Sequence, residues 1–205
     1  MKHILLGLFV ILAILVIQGC EEEQKKVAKI IDNNSTDSSS AIISYDVTGA
    51  GNGKITMSKK GSNVKLELEK NVNGQTNLET RFIDKDWIYF YFTTETAVQP
   101  VKSRIVKDHN YFNNFAVLSD AGEIVSKLMK TGNEIVSGFT CDIYENNTGS
   151  KFSVYNNKYV LKASFEGITV SANNININAS VQIRDIEKPS NIEFLELTDA
   201  PQELN

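Results

Sequence analysis

Apolar and polar residues alternate along most of the chain after residue 40, and this period of two constrains the fold more than any other feature. Val64, Leu66 and Leu68 alternate with lysine and glutamate, and residues 159–165 place Tyr, Leu, Ala and Phe at every second position. Residues 175–183 repeat the pattern with asparagine, serine and glutamine between the apolar side chains. Such alternation is typical of strands with one buried and one solvated face. The sequence therefore predicts a mainly β protein.

Turn signals separate these alternating runs at short intervals. They include Lys60-Gly61, Asn73-Gly74, Asn156-Asn157 and Glu166-Gly167. Asparagine and glycine tolerate the positive φ angles that tight hairpins require. Segments with this spacing predict an antiparallel sheet of roughly nine to eleven strands.

One helix is expected to interrupt the strands, around residues 120–130. Its apolar side chains fall on a single helical face: Val117, Leu118, Ala121, Ile124, Val125, Leu128 and Met129. Asp120 is placed to cap the N-terminus with Glu123, and Gly132 is placed to end the helix. Because the apolar stripe must be buried, we expect this helix to cover the apolar face of the sheet.

The composition limits the classes of partner. The chain has 205 residues, 41% of them hydrophobic, and a formal net charge of −4. A mildly acidic chain without a basic stripe has no electrostatic reason to bind nucleic acid, so no nucleic-acid partner is expected. Residues 20–40, rich in charge, serine and asparagine, are expected to form a disordered tether before a single domain at 41–199 and a tail at 200–205.

The N-terminal stretch bears on localisation. Residues 4–17 are an unbroken apolar run, shorter than the roughly 20 residues of a membrane-spanning helix but suited to a secretory signal peptide. The run ends in Ile17-Gln18-Gly19-Cys20, which resembles the lipobox of bacterial lipoprotein precursors. The alternative interpretation is a plain membrane anchor with an incidental cysteine.

The lipobox resemblance implies a processing pathway. The signal peptide would be residues 1–19, with cleavage between Gly19 and Cys20. The Cys20 thiol would receive a diacylglycerol, and its new amine often receives a further acyl chain such as palmitate. The protein is then expected in the bacterial cell envelope, anchored to a membrane by this lipid, with the outer membrane favoured in a diderm organism.

Cys141 is the second of the two cysteines in the chain. With Cys20 lipidated, no intramolecular disulfide can form, and a lone thiol in an oxidising compartment is most stable when buried in a strand. A reactive thiol is the alternative, although no histidine or basic residue lies close in sequence to activate it.

Residues 86–93, DWIYFYFT, are the most unusual stretch after the signal segment. In a strand, Trp87, Tyr89 and Tyr91 point to one face, and Ile88, Phe90 and Phe92 to the other. The pattern favours a core strand covered on both faces. The alternative is that Trp87, Tyr89, Tyr91 and Phe90 line a cavity for an apolar ligand, with the phenols as polar anchors.

The sequence does not indicate catalysis, a metal or a cofactor. His109 is the only histidine after the signal segment, and no carboxylate or cysteine stands at a metal-ligand spacing from it. The motifs of nucleophile elbows, phosphate-binding loops and zinc proteases are absent. We therefore expect a protein that is not an enzyme, without catalytic or metal-binding residues.

The order of these segments resembles the LolA/LolB-type lipoprotein-handling fold. The matching features are Gly53–Lys60 followed by Ser62–Lys70, then Leu78–Asp84, Trp87–Phe92 and the helix at 120–130. Residues 130–144, which contain Gly138-Phe139-Thr140-Cys141, also resemble uncharacterised envelope proteins grouped with this fold.

This second resemblance implies a curved antiparallel sheet that forms an incomplete barrel, with helix over one side and an apolar cavity between. The family holds its lid with a basic residue, for which Arg81 and Arg104 are candidates by residue type alone. Two functions follow as hypotheses. One is an anchored lipoprotein that binds a lipid or acyl chain in the half-barrel, and the other is an envelope interaction module with a filled core.

The lipobox interpretation is testable at Cys20. Replacing Cys20 by Ser removes the thiol that would be lipidated, so we expect an uncut precursor that no longer partitions into detergent as a lipoprotein. Mass spectrometry of the protein from membrane fractions measures both the cleavage and the lipid. Normal processing of the Cys20→Ser variant would refute the lipobox assignment.

Overall fold

A computed structural model describes residues 40–49, 52–72, 75–84, 86–93, 100–107 and 111–197, with only the backbone described at 71, 72, 75 and 93. The predicted signal peptide, the lipid-attachment site at Cys20, its cleavage partner Gly19, the tether up to residue 39 and His109 lie outside these residues. Twelve strands form one sheet: β1 (Ser40–Gly49), β2 (Gly53–Lys60), β3 (Asn63–Val72), β4 (Gln75–Asp84), β5 (Trp87–Thr93), β6 (Val101–Arg104), β7 (Met129–Val136), β8 (Phe139–Glu145), β9 (Lys151–Tyr155), β10 (Tyr159–Phe165), β11 (Ile168–Asn176) and β12 (Leu195–Glu196).

The sheet is large, curved and open, as the sequence predicts for a mainly β fold. Its order is β12-β6-β5-β4-β3-β2-β1-β11-β10-β9-β8-β7. Two meanders, β1–β6 and β7–β11, are joined because β1 pairs antiparallel with β11 from Ile42–Asn176 to Gly49–Ile168. The strand count exceeds the expected nine to eleven, since the two-residue β12 adds to the edge through a parallel pairing with β6.

The chain leaves the first meander near one edge of the sheet and starts the second at the opposite edge. The residues between them, 111–128, form the covering segment, and the sheet face beneath it is called the inner face. The segment contains the 3₁₀ turns Tyr111–Asn113 and Phe115–Ser119, and the helix α1 (Ala121–Lys127). Crossing the sheet here lets the segment bury its apolar stripe against the inner face.

The inner face is a continuous apolar core. Every second residue of the central strands points into it, and Tyr45, Ile55, Met57, Leu66 and Leu68 are among the largest fully buried side chains. The register places Tyr45 opposite Ile55 and Met57 opposite Leu66, so these side chains stack in rows across neighbouring strands. The period-two pattern thus identified the buried face correctly.

The covering segment is packed into this core. Ala116, Val117 and Leu118 are no more than 1% exposed. Its ring Phe112 lies 5.9 Å from Phe152, and Phe115 lies 5.8 Å from Phe165 in an edge-on arrangement. The segment therefore fills the inner face with side chains of its own.

The helix α1 begins as predicted and ends earlier than predicted. The Asp120 carboxylate accepts a hydrogen bond from the Glu123 backbone N–H at 3.1 Å, which is the expected N-terminal cap. The helix ends at Lys127, and Leu128 already has extended backbone angles. Met129 begins β7 and pairs with Glu145 of β8. Strand pairing therefore replaces the predicted last helical turn and places Gly132 in β7.

The strand predicted for 175–183 also ends early. β11 stops at Asn176, where its pairing with β1 reaches the last rung. The chain continues as the C-terminal segment, residues 177–197, which includes the short helix α2 (Ile183–Ile186). Its alternating residues Ala179 and Val181 form a small second cluster with Ile186. These residues are buried, as the alternation suggests, but they pack on the side of the sheet opposite to the inner face.

That opposite side is called the outer face. Lys60 of β2 donates to the Val181 backbone carbonyl at 3.0 Å, which fixes the C-terminal segment over the first meander. The segment continues past β4 and β5, where Phe194 contacts Tyr89, and ends in β12 at the edge of the sheet.

The hairpin turns confirm the local signals in the sequence. Asn156 and Asn157 both have positive φ, at 50° and 55°, between β9 and β10. Glu166 and Gly167 have φ of 48° and 75° between β10 and β11. The Asn73-Gly74 signal lies outside the described residues.

The packing of the covering segment predicts a large stability effect at Leu118. Leu118→Ala removes a fully buried side chain, so we expect the free energy of unfolding to fall by about 2–5 kcal/mol. Urea denaturation followed by circular dichroism measures it. Lys127→Ala, at an exposed position of the same segment, serves as control and should change stability by less than about 0.5 kcal/mol. Equal effects at the two positions would contradict the packing.

Candidate functional site: the two faces of the aromatic strand

The aromatic strand β5 presents its side chains to the two faces as predicted. Phe90 lies opposite Arg81 and joins the inner face, whereas Tyr89 lies opposite Phe82 and joins the outer face. Of the four candidate cavity residues, Phe90 therefore stands apart from Trp87, Tyr89 and Tyr91. The four residues cannot line a single cavity, because the sheet lies between Phe90 and the other three.

The strand is not the fully covered core strand that the pattern favours. It lies third from the edge of the sheet, after β12 and β6. Ile88 is buried, but the four candidates are only partly buried. Both faces of β5 are apolar because each is partly covered: the covering segment lies over the inner face and the C-terminal segment over the outer face.

A charged cluster lies on the inner face beside Phe90. Glu79 accepts hydrogen bonds from Arg81 Nε at 2.5 Å and from Lys70 Nζ at 3.0 Å. The Arg81 guanidinium lies 5.2 Å from the ring centre of Phe90 and 5.6 Å from that of Phe115. Ion pairing and cation–π contact together allow these charges to sit next to an apolar core.

Arg81 thus links β4 to the covering segment through Phe115. Arg104, the other candidate by residue type, lies on the outer face with its guanidinium 5.3 Å from the Trp87 ring centre. Sequence reasoning could not separate the two arginines.

Along β4, Glu79 and Arg81 take the inward positions before Ile83. The apolar residues Leu78 and Phe82 lie on the other face, so the period-two pattern does not reveal that Arg81 faces inward.

The pKa of Glu79 is displaced by this cluster. Burial alone would raise the pKa of the carboxyl, but the charges and hydrogen bonds of Arg81 and Lys70 outweigh burial and hold it below its ordinary value near 4.5. Glu79 is therefore ionised in the folded protein at neutral pH, and the ion pair with Arg81 is intact.

On the outer face, β4, β5 and the C-terminal segment enclose a half-open groove of about 280 Å³. This outer groove is lined by Asn63, Phe82, Ile83, Asp84, Tyr89, Ile186, Glu187, Lys188 and Ser190. Tyr89 is the one candidate residue among them. Phe194 packs edge-on against its ring at 5.2 Å, and the Lys188 ammonium lies 5.3 Å from the ring centre.

The outer groove suits a small group rather than a long chain. Its volume lies just below the range typical of pockets for drug-sized ligands, roughly 300–1,000 Å³. Its lining mixes the apolar side chains of Phe82 and Ile186 with carboxylate, amide, hydroxyl and ammonium groups. A group the size of an amino-acid side chain, apolar at one end and polar at the other, matches this environment.

Cys141 is buried in β8, as expected. Burial, with a contribution from the Glu134 charge, raises the pKa of the thiol to about 11. The thiol is therefore protonated at neutral pH, which disfavours the reactive alternative.

Two further observations concern the described residues only. None of their helices is long and apolar enough to cross a membrane. Within the same residues, no three His, Cys, Asp or Glu side chains are grouped so that they could hold a metal ion.

Comparison with solved structures gives only weak similarity, of which MucB is an example. The crystal structure of MucB shares 10% sequence identity, covering 85% of this chain and 66% of the MucB chain, with a TM-score of 0.33. The match thus spans just under two thirds of MucB, and at this TM-score it supports no argument about function. No protein-family model matches the sequence. No curated protein matches it either.

The displaced pKa of Glu79 predicts a pH-dependent stability. A carboxyl whose pKa is lowered on folding contributes stability above its unfolded pKa, and this contribution is lost as pH falls through the folded value. We expect Glu79→Gln to lower the free energy of unfolding by about 1–3 kcal/mol at pH 7. The difference from wild type should shrink as pH falls below about 4.5.

Urea titrations at several pH values, followed by the fluorescence of Trp87, the single tryptophan, measure this difference. Glu69→Gln, on the neighbouring strand at an exposed position, controls for the loss of one negative charge. A difference between wild type and Glu79→Gln that stays constant from neutral to acidic pH would contradict the assigned ion pair.

Proposed function

We propose that this protein is a lipid-anchored, non-enzymatic lipoprotein of the bacterial cell envelope that acts as an interaction module with a filled core. The anchor is inferred from Ile17-Gln18-Gly19-Cys20, and the absence of enzymatic activity from the chemistry of the described residues. The single observation that supports a module over a carrier is the packing of the inner face.

An acyl-chain carrier of this architecture needs space between the sheet and its cover. Here the cover places Val117 and Leu118 in that space with at most 1% exposure. The ring of Phe112 packs against Phe152, and the ring of Phe115 against Phe165, both in the second meander. The described inner face is therefore occupied by the chain itself, which favours a rigid body that binds through its surface.

The carboxyl groups with displaced pKa values have structural partners, which supports a non-enzymatic role. Burial would raise the pKa of Asp120, but the Lys107 ammonium at 2.6 Å and the Glu123 N–H lower it, and this carboxylate caps α1. The pKa of Glu134 in β7 is similarly held low, against burial, by hydrogen bonds from Ser153 of β9 and Lys162 of β10.

A second candidate function is the binding of a small apolar ligand, and the outer groove beside Tyr89 favours it. The groove is half-open and carries both ring and polar contacts for such a ligand. Its size limits the candidate to a short or partly bound molecule.

Native mass spectrometry of the protein, extracted from its own envelope in mild detergent, tests the proposal. For an interaction module we expect the mass of the lipidated chain alone and no uptake of added phospholipid or fatty acid. A co-purifying lipid-sized mass, lost in Tyr89→Lys with the fold intact, would instead establish ligand binding in the outer groove. Tyr91→Lys is the matched control, because Tyr91 lies on the same face of β5 but does not line the groove.

A further inference from the structure

The last described strand occupies the edge of β6 with very few contacts. β12 has two residues, and its pairing with β6 is the parallel pairing among the described strands. The Leu195 N–H donates to the Pro100 carbonyl at 2.9 Å, and the Leu197 N–H donates to the Lys102 carbonyl at 2.8 Å. An extended segment held this way adds a strand to an exposed sheet edge.

Two side chains of the segment contact the outer face. Phe194 packs on Tyr89 with ring centres 5.2 Å apart, and the Glu196 carboxylate lies 3.1 Å from the Lys102 ammonium. Leu195 and Leu197, at the alternate positions, are more than half exposed. The edge therefore contacts an aromatic residue and, two positions later, an acidic one, with the backbone running parallel to β6.

The site is independent of the core. Phe194, Leu195 and Glu196 belong to neither apolar cluster, and the nearest upstream member of a cluster is Ile186. Between Ile186 and Phe194, Glu187 and Lys188 line the outer groove, and the Lys188 ammonium lies over the Tyr89 ring. Release of residues 191–197 would leave both the inner face and the Ile186 cluster in place.

The surface exposed by such a release is basic and aromatic. The Lys102 ammonium lies 4.7 Å from the Trp87 ring centre, and the Arg104 guanidinium lies 5.3 Å from it. In the occupied site Glu196 is paired with Lys102. An incoming segment with an acidic residue at this position would meet the same complementary charge.

We propose that the edge of β6 that β12 covers, together with Tyr89 and Lys102, is a binding site for an extended segment of a partner protein. The partner segment carries an aromatic residue two positions before an acidic residue, and the chain's own residues 194–197 occupy the site until the partner displaces them. The inference names the partner class of the interaction module and so rests on the proposed function.

The bound C-terminal segment is a competitor. A tethered segment competes at an effective concentration on the order of 1 mM, so a free peptide of the same sequence should bind the wild-type chain weakly. Weakening the segment's docking should raise the affinity for the free peptide. Such a gain in peptide affinity is expected if residues 194–197 are a displaceable ligand, and is not expected if they are a fixed structural strand.

A fluorescent peptide with the sequence of residues 191–197 tests the site, with binding to the full chain in mild detergent measured by anisotropy. Leu195→Pro removes the N–H that bonds to Pro100, so we expect this variant to bind the peptide at least about tenfold more tightly than wild type. Leu195→Ala is the matched control, because it keeps the N–H and changes only an exposed side chain. Its peptide affinity should stay close to that of wild type.

Peptide variants test the recognition pattern. A peptide with Phe194→Ala should bind the Leu195→Pro chain about two- to tenfold more weakly, since it lacks the ring that contacts Tyr89. If Leu195→Pro fails to fold, a full chain with both Phe194→Ala and Glu196→Ala takes its place with the wild-type peptide. The proposal is overturned if no folded variant binds the peptide more tightly than wild type, or if the Phe194→Ala peptide binds equally well.

The two proposals fail separately. A chain that takes up neither peptide nor lipid refutes the edge site and leaves the interaction module in place. A chain that carries lipid in native mass spectra refutes the module whatever the peptide does.

Discussion

The pairing of β1 with β11 is the contact on which the other parts of the fold depend. It joins two meanders that would otherwise be separate sheets with half an apolar face each. The ladder ends at Gly49, whose φ is +103° and whose Cβ, if it had one, would lie 2.0 Å from the Gly167 carbonyl oxygen. Only glycine fits this close approach, and it brings the tip of one meander against a turn of the other.

Joining the meanders also determines the route of the chain between them. The first meander ends near one edge and the second begins at the other, so residues 111–128 cross the inner face. The Lys59 ammonium donates to the Ser119 carbonyl at 2.8 Å, and Arg81 contacts Phe115 on the same segment. Charged side chains at the border of the core therefore hold the cover in place, which is consistent with a filled module.

The two edges of the sheet are protected in different ways, and the edge at β6 is the one covered by another segment of the chain. At the far edge, β7 has an irregular register between Lys130 and Gly132, a distortion that discourages pairing with another strand. At the near edge, the short β12 occupies β6 through backbone hydrogen bonds and two side-chain contacts. An edge covered by a weakly held segment of the same chain suits regulated binding better than an edge that is structurally distorted.

The sequence by itself determined the mainly β fold, the buried faces of β3 and β10, the α1 cap at Asp120 and the burial of Cys141, because each depends on residues close together in the chain. It also assigned the side chains of β5 to opposite faces correctly. Only the tertiary structure decided which of them meet a partner. Tyr89 lines the outer groove because Ile186 and Lys188, about a hundred residues further along the chain, fold over it. Arg81 contacts the cover because Phe115, more than thirty residues further along the chain, packs beside it. Residues 177–183 leave the sheet after the last pair of β11 with β1, Asn176 with Ile42. Local periodicity carries no information about such long-range contacts, so the position of the candidate sites could not be read from it.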